Sequence, residues 1–492
     1  MKRKYQYLLV ALLLLIGLIL RLYDLTDPPI DFHSTRQLRG AIIARGMYYD
    51  MLPNPDPDLR EQAIAYWGST GQYEPSILEK ITAYSYLLMG EENWWVARII
   101  NSFFWIVGGI ALYGLARRTA SFASALFALA YYVVLPFGVQ ASRSFQPDPG
   151  MVLWIILTIY FLYLWSEKPS WKLAVISGLL GGMAILTKVV SVYIVGGAAI
   201  ALVLYTFGIK RFWRNLQVWL MVILMILPSA IIYKNRGERA SDYFSSWTLS
   251  LSHLLLDPSL YVRWFSLVQN IMGLAAILLA LTGVIIAKPR YRALLLGMWA
   301  GYLIYGLFLP YQMYTHNYYH IQLIPIIALS LVPVVELLIE KLREQKRIWQ
   351  IAFIGILLVG FIFTAWLSIA EFNSQDFRHE PAFWEEIGSY LPSDGKIIAL
   401  TQDYGYRLMY FGWRKVTLWP NRGERQLSKL RGNEKEFENF FIKKTDGKSY
   451  FVITSFNQFN DQPDLKKVLE GNFPVVGEGG GYLIYGLDTQ SP

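Results

Sequence analysis

The chain has 492 residues, of which 54% are hydrophobic and only 16% charged, and its mean hydropathy is +0.33. A soluble chain carries roughly 25% charged and ~45–50% apolar residues, so this composition excludes an ordinary soluble protein and a disordered one. The excess apolar surface must face lipid, which predicts a polytopic α-helical membrane protein.

Cysteine content and net charge narrow the class of protein further. The chain has no cysteine, which excludes disulfides, thiolate metal sites, iron–sulfur clusters and a cysteine nucleophile but leaves the compartment open. The net charge of +9 invites a nucleic-acid partner. In a membrane chain, basic residues concentrated in cytoplasmic loops explain this charge better, so we expect membrane lipids and no nucleic acid as partners.

Apolar runs of about 20 residues, the length that crosses ~30 Å of hydrocarbon, predict the membrane spans. The first run follows three basic residues, but no small-residue cleavage site comes after it, which favours a retained span over a signal peptide. About eleven spans are predicted, at residues 5–22, 94–116, 121–140, 150–165, 172–187, 189–207, 216–233, 266–287, 293–310, 320–339 and 350–370.

Basic residues predict the orientation of these spans. With the N-terminus inside, every short inner connection contains Lys or Arg, whereas the short outer connection 311–319 contains neither. This pattern predicts a multi-pass protein of the cell (plasma) membrane with a cytoplasmic N-terminus and an extracytoplasmic C-terminal tail. The inner residues are Lys2, Arg3, Lys4, Arg117, Arg118, Lys168, Lys172, Lys210, Arg211, Arg214, Lys288, Arg290, Arg292, Lys341, Arg343, Lys346 and Arg347.

Two long outer segments lie between predicted spans, at residues 23–93 and 234–265. In the first of them, Leu38, Ile42 and Ile43 repeat at helical spacing with arginines among them. Such a pattern is typical of a helix that lies at the membrane interface.

The tail 371–492 differs in composition from the predicted spans, which predicts an extracytoplasmic soluble α/β domain. Strands and helices alternate along it, as in βαβ units. We therefore predict a transmembrane domain at 1–370 and a soluble domain at 371–492. The predicted elements are a helix from Pro381 to the turn 392–395, strands at 396–401, 415–419, 449–454 and 481–487, and helices near 433–445 and 463–471.

Charged groups near the predicted outer membrane face are the candidates for chemistry, because burying charge near lipid is costly. Asp31 follows the first span by about ten residues and is either a general base or an ordinary solvated loop residue. Arg98, Arg143 and Lys188 suit a lipid phosphate, and the alternative is that they extend to the headgroups. Asp148 lies in the same short connection as Arg143.

Two other kinds of site are less well supported by the sequence. His316 and His320 are spaced i, i+4, as metal ligands on a helix can be, but no HExxH motif or nearby acidic pair accompanies them. No Walker loop, GxGxxG motif or DxD pair occurs in a predicted loop, which disfavours a nucleotide-activated donor. An enzyme with a site at the outer face would then use a donor carried by a lipid.

Six ordered motifs resemble glycosyltransferase family 39, the polyprenyl-phosphate-dependent enzymes that include the protein O-mannosyltransferases and are related to the aminoarabinose transferases. The resemblance covers roughly residues 1–345 and implies the C-type glycosyltransferase fold. The motifs are LRLYDL at 20–25 with PPIDFH at 28–33, YEPSIL at 73–78, ARIINS at 97–102, Arg143 with Asp148, GMAILTK at 182–188 and HNYYHIQLIP at 316–325.

The resemblance implies an inverting transfer of a hexose or pentose from a polyprenyl-phosphate carrier to a hydroxyl of a protein, glycan or lipid acceptor. Asp31 would be the base. The family commonly has Asp-Glu at this point, whereas here Phe32 and His33 follow the single acid, and His33 would share its work. Arg98, Arg143 and Lys188 would bind the donor phosphate.

The same resemblance assigns the remaining residues. Asp148 and Glu74 would be further acids that position sugar hydroxyls or bind a divalent cation, and Glu74, His316 and Tyr318 would contact substrate. No cofactor is certain and no metal-ligand set is assigned.

A transporter or flippase of lipid-linked sugars is the alternative function. It would need polar residues deep inside several spans. Here the spans 121–140, 193–207 and 350–370 carry no charged residue, and charges cluster at the ends of the spans. This distribution favours an enzyme whose site lies at one membrane face.

Overall fold

The computed structural model describes residues 2–71, 74–234, 245–393, 396–432 and 436–488. The chain divides into two compact units. The first comprises Met1–Leu25, Gln72–Leu78 and Trp95–Ser374, and the second comprises Thr26–Gly71, Glu79–Trp94 and Gln375–Pro492. Parts of four predicted segments lie outside the described residues, namely Tyr73, residues 235–244, the end of the turn 392–395, and residues 433–435.

The first unit is helical because an apolar run in lipid must satisfy its backbone hydrogen bonds within the segment. Its α-helices are Arg3–Leu22, Trp95–Thr119, Phe122–Val134, Pro136–Arg143, Asp148–Glu167, Trp171–Thr187, Ser191–Phe207, Leu216–Lys234, Pro258–Met272, Leu274–Ile286, Pro289–Phe308, Pro310–Thr315, Leu323–Arg343 and Arg347–Asn373. Short 3₁₀ helices occur at Phe212–Arg214, Leu249–Leu256 and Asn317–His320.

Each of the eleven predicted spans coincides with one or two of these helices. Among the described residues, six helices are long and apolar enough to cross a membrane, and up to eight spans result if each of two bent pairs is one span. Several apolar helices are therefore present, as a multi-pass membrane protein requires, while the number eleven stays a prediction.

Two predicted spans are sharply bent. Phe122–Val134 and Pro136–Arg143 meet at 60°, because Pro136 lacks an N–H and disfavours helical backbone in the residue before it. Pro258–Met272 and Leu274–Ile286 meet at 98° across Gly273, whose φ of +85° is accessible to a residue without a Cβ. Hydropathy alone predicts a continuous run in both cases and does not reveal the bends.

The second unit contains a five-stranded sheet built entirely from the tail. Its strands are β1 (Ile397–Leu400), β2 (Thr417–Leu418), β3 (Tyr450–Ile453), β4 (Val475–Gly479) and β5 (Tyr482–Gly486), in the order β2-β1-β3-β5-β4. Strand β1 pairs in parallel with β2 and β3, and β5 pairs antiparallel with β3 and β4. Four strands match the predicted ones, and β4 was not predicted.

Helices and an apolar core complete the second unit. The helices are Ser34–Met51, Pro57–Ser69, most of Ile77–Met89, Glu380–Tyr390, Tyr406–Tyr410, Arg422–Leu430, Phe437–Thr445, Phe456–Asn460 and Pro463–Asn472. The core of the tail is formed by buried side chains from the strands and the helices beside them, namely Ile398, Leu400, Trp419, Phe441, Phe451, Ile453, Phe459, Leu465, Leu469 and Tyr485.

The environment of the helix Ser34–Met51 differs from the predicted membrane interface. Leu38, Ile42 and Ile43 are buried, and so are Arg39 and Arg45, which lie among them on the same broad side of the helix. The protein itself therefore covers the part of the helix that was expected to lie at the membrane interface.

Arg45 is the centre of a buried group that we call the Arg45 cluster, formed with Glu92, Tyr410 and Trp413. Its guanidinium donates to the Glu92 carboxylate at 2.8 Å and to the backbone carbonyl of Tyr410. It also lies 3.9 Å from the ring centroid of Tyr410 and 4.4 Å from that of Trp413. Burial on its own would lower the pKa of Arg45, but Glu92 and Tyr410 raise it above its ordinary value.

Two further carboxylates connect the first outer loop to the tail. Asp403 accepts hydrogen bonds from the hydroxyls of Ser34 and Thr35, at 2.5 and 2.9 Å. Asp27 is buried and accepts from the backbone N–H of Phe377 at 2.9 Å. Segments of the first outer loop thus fold in one unit with the tail, whereas the sequence places the two in different domains; the boundary at 370/371 stays a prediction.

We expect Glu92→Gln to lower the free energy of unfolding of the second unit by roughly 3–5 kcal/mol, because Arg45 then keeps its charge in a buried position without a counter-ion. Thermal unfolding of the purified protein in detergent measures the effect. Asp50→Asn is the matched control, since Asp50 and Arg60 are 3.9 Å apart and about half exposed, and an exposed pair contributes about 1 kcal/mol at most. Equal, small shifts for both variants would contradict the structural role of the Arg45 cluster.

Candidate functional site

Two buried arginines of the first unit converge on the three residues that follow its first helix. Arg143 donates to the backbone carbonyls of Tyr23 and Asp24, the latter at 3.1 Å, and Arg98 donates to the carbonyl of Leu25 at 3.1 Å. Both side chains are almost fully buried. The C-terminal end of a helix carries partial negative charge, so cations beside the residues that follow it are favoured on electrostatic grounds.

Neighbouring side chains fix these two arginines in place. The Arg143 guanidinium lies 4.1 Å from the centroid of the Phe372 ring, and Arg98 is in the first turn of Trp95–Thr119. One turn further along that helix, the buried amide of Asn101 donates to the carbonyls of Ser144 and Gln146, at 2.6 and 2.9 Å. Arg98 and Asn101 therefore act from one helix face, and Asn101 orders the connection that leads from Arg143 to Asp148.

A second group surrounds Lys188 and is called the Lys188 cluster, formed with Asp148, His316, Tyr318 and Tyr319. The Lys188 ammonium is 2.8 Å from a carboxylate oxygen of Asp148, and each side chain is 5% exposed. It is also 5.2 Å from the Tyr318 ring centroid and 5.1 Å from that of Tyr319. The edge of the His316 ring approaches both tyrosine rings.

The Lys188 cluster brings together four residues that the sequence singled out separately, and it adds Tyr319. Lys188 comes directly after the helix Trp171–Thr187, and Asp148 begins the helix Asp148–Glu167, so each stands at a helix end. Their pairing has two consequences. The buried ammonium has a carboxylate beside it, and the Asp148 carboxylate is engaged by that ammonium.

His320 and His316 have different surroundings. The buried His320 ring is 2.7 Å from the Tyr302 hydroxyl through Nδ1 and 3.0 Å from the Met313 carbonyl through Nε2. A carbonyl only accepts, so Nε2 carries the proton and Nδ1 accepts from Tyr302. The two histidines thus serve separate networks rather than one metal ion.

The described residues also contain no group of three or more His, Asp or Glu side chains that could hold a metal ion. Asp148, one of the two acids that the resemblance connects with a divalent cation, is paired with Lys188. Glu74 is half-buried ahead of the helix Ile77–Met89. A divalent cation stays a prediction of the resemblance, and no step below uses one.

Asp31 and His33 belong to the second unit, whereas the three cations belong to the first. Asp31 is half-buried, and its carboxylate accepts a hydrogen bond of 2.9 Å from the side-chain amide of Gln37. The same amide donates to the Phe32 carbonyl at 2.9 Å. Gln37 is fully buried, so it holds the Asp31 carboxylate in a defined orientation.

His33 has an uncommon backbone conformation for a residue with a side chain. Its φ is +48°, and it caps the start of the helix Ser34–Met51. The Phe32 ring packs edge-on against the His33 ring, with centroids 4.8 Å apart. A left-handed residue costs of order 1 kcal/mol or more and persists where surrounding contacts impose it, which is a feature of functional sites.

Three residues of these groups were missed by sequence analysis, namely Gln37, Asn101 and Tyr319. A signal existed for Asn101, which is three residues after Arg98 in an otherwise apolar helix. Tyr319 stands within a quoted motif beside Tyr318. Nothing in the local pattern marks Gln37, because it is one of several polar residues in a helix of the first outer loop.

Comparison with known proteins relates the chain to glycosyltransferases. The family model described as dolichyl-phosphate-mannose-protein mannosyltransferase matches residues 74–233. No curated protein gives a significant match.

Solved structures give a likeness over nearly the whole chain. ArnT from Cupriavidus metallidurans in the apo state aligns with a TM-score of 0.58 at 15% identity, covering 98% of each chain. The same protein bound to undecaprenyl phosphate aligns with a TM-score of 0.55 at 16% identity, covering 99% of this chain and 98% of that one. The archaeal oligosaccharyltransferase AglB from Archaeoglobus fulgidus, in complex with an inhibitory peptide and a dolichol-phosphate, aligns with a TM-score of 0.57 at 12% identity, covering 98% and 74%.

These findings confirm the predicted resemblance to the polyprenyl-phosphate-dependent glycosyltransferases. The structural likeness shows a helical fold like the C-type glycosyltransferase fold, and the tail adds a small sheet.

We expect Asp148→Asn to lower the free energy of unfolding by roughly 3–5 kcal/mol, because it leaves the buried Lys188 ammonium without its carboxylate. The double variant Asp148→Asn with Lys188→Met should recover most of this loss, since it removes both charges. Thermal unfolding in detergent measures both effects.

Glu167→Gln is the control for this pair. It lies at the other end of the same helix and removes a partly exposed ion pair with Arg118, which contributes about 1 kcal/mol at most. An Asp148→Asn shift as small as that of Glu167→Gln, or a double variant less stable than either single one, would contradict the buried pair.

Proposed function

We propose that the chain is an inverting glycosyltransferase that moves a hexose or pentose from a polyprenyl-phosphate carrier to an acceptor hydroxyl at the outer membrane face. The observation that carries the proposal is the convergence of Arg98 and Arg143 on the turn 23–25 of a membrane unit with the C-type fold. The family match and the undecaprenyl phosphate bound by ArnT support a lipid-linked donor.

The cations of the first unit have the role of binding the donor phosphate. Arg98, Arg143 and Lys188 are held in fixed positions by carbonyls, an aromatic ring and Asp148 before any substrate arrives. Cations fixed in this way stabilise negative charge as it grows on the leaving phosphate, without the cost of reorganising a flexible site.

Asp31 has the role of general base. The acceptor oxygen attacks the anomeric carbon, the bond from that carbon to the phosphate oxygen breaks, and its electron pair leaves with the polyprenyl phosphate. The hydroxyl proton passes to the Asp31 carboxylate, which Gln37 orients through its amide. One displacement inverts the anomeric centre, and no covalent enzyme intermediate is required.

The orientation of the chain is also part of the proposal. Basic residues in the predicted inner connections support a cytoplasmic N-terminus and a tail outside the cytoplasm. Because the predicted donor is already attached to a lipid carrier, the reaction needs no nucleotide-activated sugar on that side of the membrane.

Asp31→Asn should abolish sugar transfer while leaving donor binding within about twofold of the wild-type value, because the amide keeps the hydrogen-bonding shape but takes up no proton. The assay follows free polyprenyl phosphate and free hexose from a labelled polyprenyl-phosphate hexose. Asp58→Asn, an exposed acid in the first turn of Pro57–Ser69, is the control and should retain full turnover. Near wild-type turnover by Asp31→Asn would place the base elsewhere.

The same assay separates transfer from transport. A transporter or flippase binds the lipid-linked sugar and moves it between leaflets without releasing free polyprenyl phosphate. Wild-type protein that binds the donor, never releases the phosphate and flips the lipid in reconstituted vesicles would therefore overturn the enzymatic proposal.

Arg143→Gln should weaken donor binding roughly tenfold to hundredfold, the effect of losing a charge-assisted hydrogen bond to phosphate. The dissociation constant of a polyprenyl-phosphate hexose, measured by titration of the purified protein, tests this. Arg117→Gln is the matched control, since Arg117 also donates to a backbone carbonyl, that of Ala120, but is exposed. Unchanged donor affinity in a folded Arg143→Gln protein would mean that this arginine only anchors the turn.

A further inference from the structure

The second unit contains a cleft of about 870 Å³ that none of the roles above uses. It is lined by residues that follow each of the three parallel strands in the chain. Tyr404 comes after β1, Trp419 and Arg422 come after β2, and Gln462 comes after β3. The cleft therefore lies at the carboxyl ends of these strands.

The order of the strands reverses at this position in the sheet. Strand β1 lies between β2 and β3 and runs parallel to both. The connection that follows β1 leads to β2, at one edge of the sheet. The connection that follows β3 leads in the opposite direction along the sheet, to β4 and β5. At such a reversal the connections diverge and open a crevice, which is where open α/β sheets bind their ligands.

Two helices, Arg422–Leu430 and Phe437–Thr445, contribute side chains to the lining of the cleft. Arg422, Arg425 and Lys429 are spaced i, i+3, i+7 along the helix Arg422–Leu430, so they share one face. Phe437, Phe440 and Lys444 repeat the same spacing along the helix Phe437–Thr445. Glu424, Gln426 and Ser428 of the first helix also line the cleft, so that helix contributes basic, acidic and neutral polar groups, and the second contributes two aromatic rings and a lysine.

The floor of the cleft is held by hydrogen bonds within the protein. The Gln462 amide oxygen accepts from the Trp419 indole N–H at 2.9 Å, and its NH₂ group donates to the Pro420 carbonyl at 3.2 Å. Both Gln462 and Trp419 are buried. Arg425 reaches the same amide oxygen at 3.3 Å, so the helix Arg422–Leu430 is connected to the floor.

The charges that line the cleft are nearly balanced. Four cations face three carboxylates, and one pair of them, Arg422 and Asp461, is only 3.4 Å apart. The carboxylates would repel a polyanion, and the arginines and lysines would repel a cation, so both kinds of ligand are disfavoured. The lining residues with charge are Arg422, Arg425, Lys429, Lys444, Glu424, Asp461 and Asp464.

A neutral saccharide matches this lining. Each sugar hydroxyl both accepts and donates, so it pairs with guanidinium and ammonium donors and with carboxylate acceptors. The C–H face of a sugar ring packs on aromatic rings such as those of Phe437 and Phe440. A volume of about 870 Å³ lies within the range of ligand pockets and admits more than one sugar ring.

We propose that this cleft binds neutral sugar units of the acceptor, which makes a glycan the acceptor class of the proposed transferase. The assignment of the bound glycan as the acceptor rests on the proposed function. The binding of a saccharide rests on the cleft alone. The tail then recognises the substrate that receives the sugar, and the membrane unit binds the substrate that gives it.

Saturation-transfer NMR on the full-length protein tests the proposal, with maltohexaose, cellohexaose and α-1,6-mannohexaose as probes. The protein is purified in a detergent without a sugar headgroup, because a maltoside would compete for the cleft. At least one hexasaccharide should receive saturation from the wild-type protein. Arg425→Ala should weaken its binding about tenfold, the effect of one hydrogen bond to a charged group.

Lys443→Ala is the matched control, since Lys443 is exposed beside Lys444 but does not line the cleft. It should bind the hexasaccharide with the wild-type affinity. An equal loss in Arg425→Ala and Lys443→Ala would indicate a general effect of surface charge and overturn the assignment of the cleft.

Two further outcomes overturn the proposal, and one separates it from the proposed function. Absence of saturation transfer to all three hexasaccharides, or tighter binding of inorganic pyrophosphate than of any of them, excludes a neutral saccharide site. Release of polyprenyl phosphate from the labelled donor by the same wild-type preparation tests the transferase independently. Donor turnover without saccharide binding would therefore refute only the role of the cleft, and saccharide binding without donor turnover would refute only the transferase.

Discussion

A buried guanidinium needs a counter-charge, and Arg45 obtains one only when three remote stretches of the chain meet. The arginine lies on a helix of the first outer loop, Glu92 lies some 47 residues later, and Tyr410 and Trp413 belong to the tail. Removing either charge would leave the other uncompensated in a desolvated position, which costs several kcal/mol. Contacts of Arg45, Ser34, Thr35 and Asp27 therefore join the first outer loop to the tail within the second unit. This explains why the helix Ser34–Met51, which carries arginines among its apolar residues, is buried by protein.

The same constraint shapes the first unit, where it has a second consequence. Lys188 and Asp148 neutralise each other at the ends of two helices, while Arg98 and Arg143 are satisfied in part by backbone carbonyls at the end of the first helix. These contacts hold the two guanidinium groups in fixed positions, and a guanidinium held in a fixed position suits the proposed binding of a phosphate. Lys188 differs, because Asp148 already pairs with it, and its proposed role depends more on position beside Tyr318 and Tyr319 than on net charge.

The proposed chemistry and the proposed recognition make different physical demands on the chain. Proton transfer from a hydroxyl needs one carboxylate held in a defined orientation, and the buried amide of Gln37 provides this for Asp31. Saccharide recognition needs several donors and acceptors beside aromatic rings, and the cleft at the carboxyl ends of β1, β2 and β3 provides those. Placing the two tasks on separate structural elements would allow the acceptor to change in evolution while the donor chemistry stays the same.

Local sequence determined the elements whose cause is local. Each predicted apolar run coincides with one or two helices of the membrane unit, because lipid leaves a backbone no other partner, and alternating strands and helices marked four strands of the tail, at 397–400, 417–418, 450–453 and 482–486. Ordered motifs marked Arg98, Arg143, Asp148 and Lys188 as residues of interest. Pro136 and Gly273 cause the two bends locally, although hydropathy does not reveal them. Tertiary structure alone decided the pairing of Lys188 with Asp148, the Arg45 cluster and the contact of Gln37 with Asp31. The partners in the two ion pairs are 40 and 47 residues apart, and hydropathy and periodicity describe only what neighbours along the chain share. Which charges meet is set by the packing of the whole unit, since burial makes each of them depend on a partner that the local pattern does not specify.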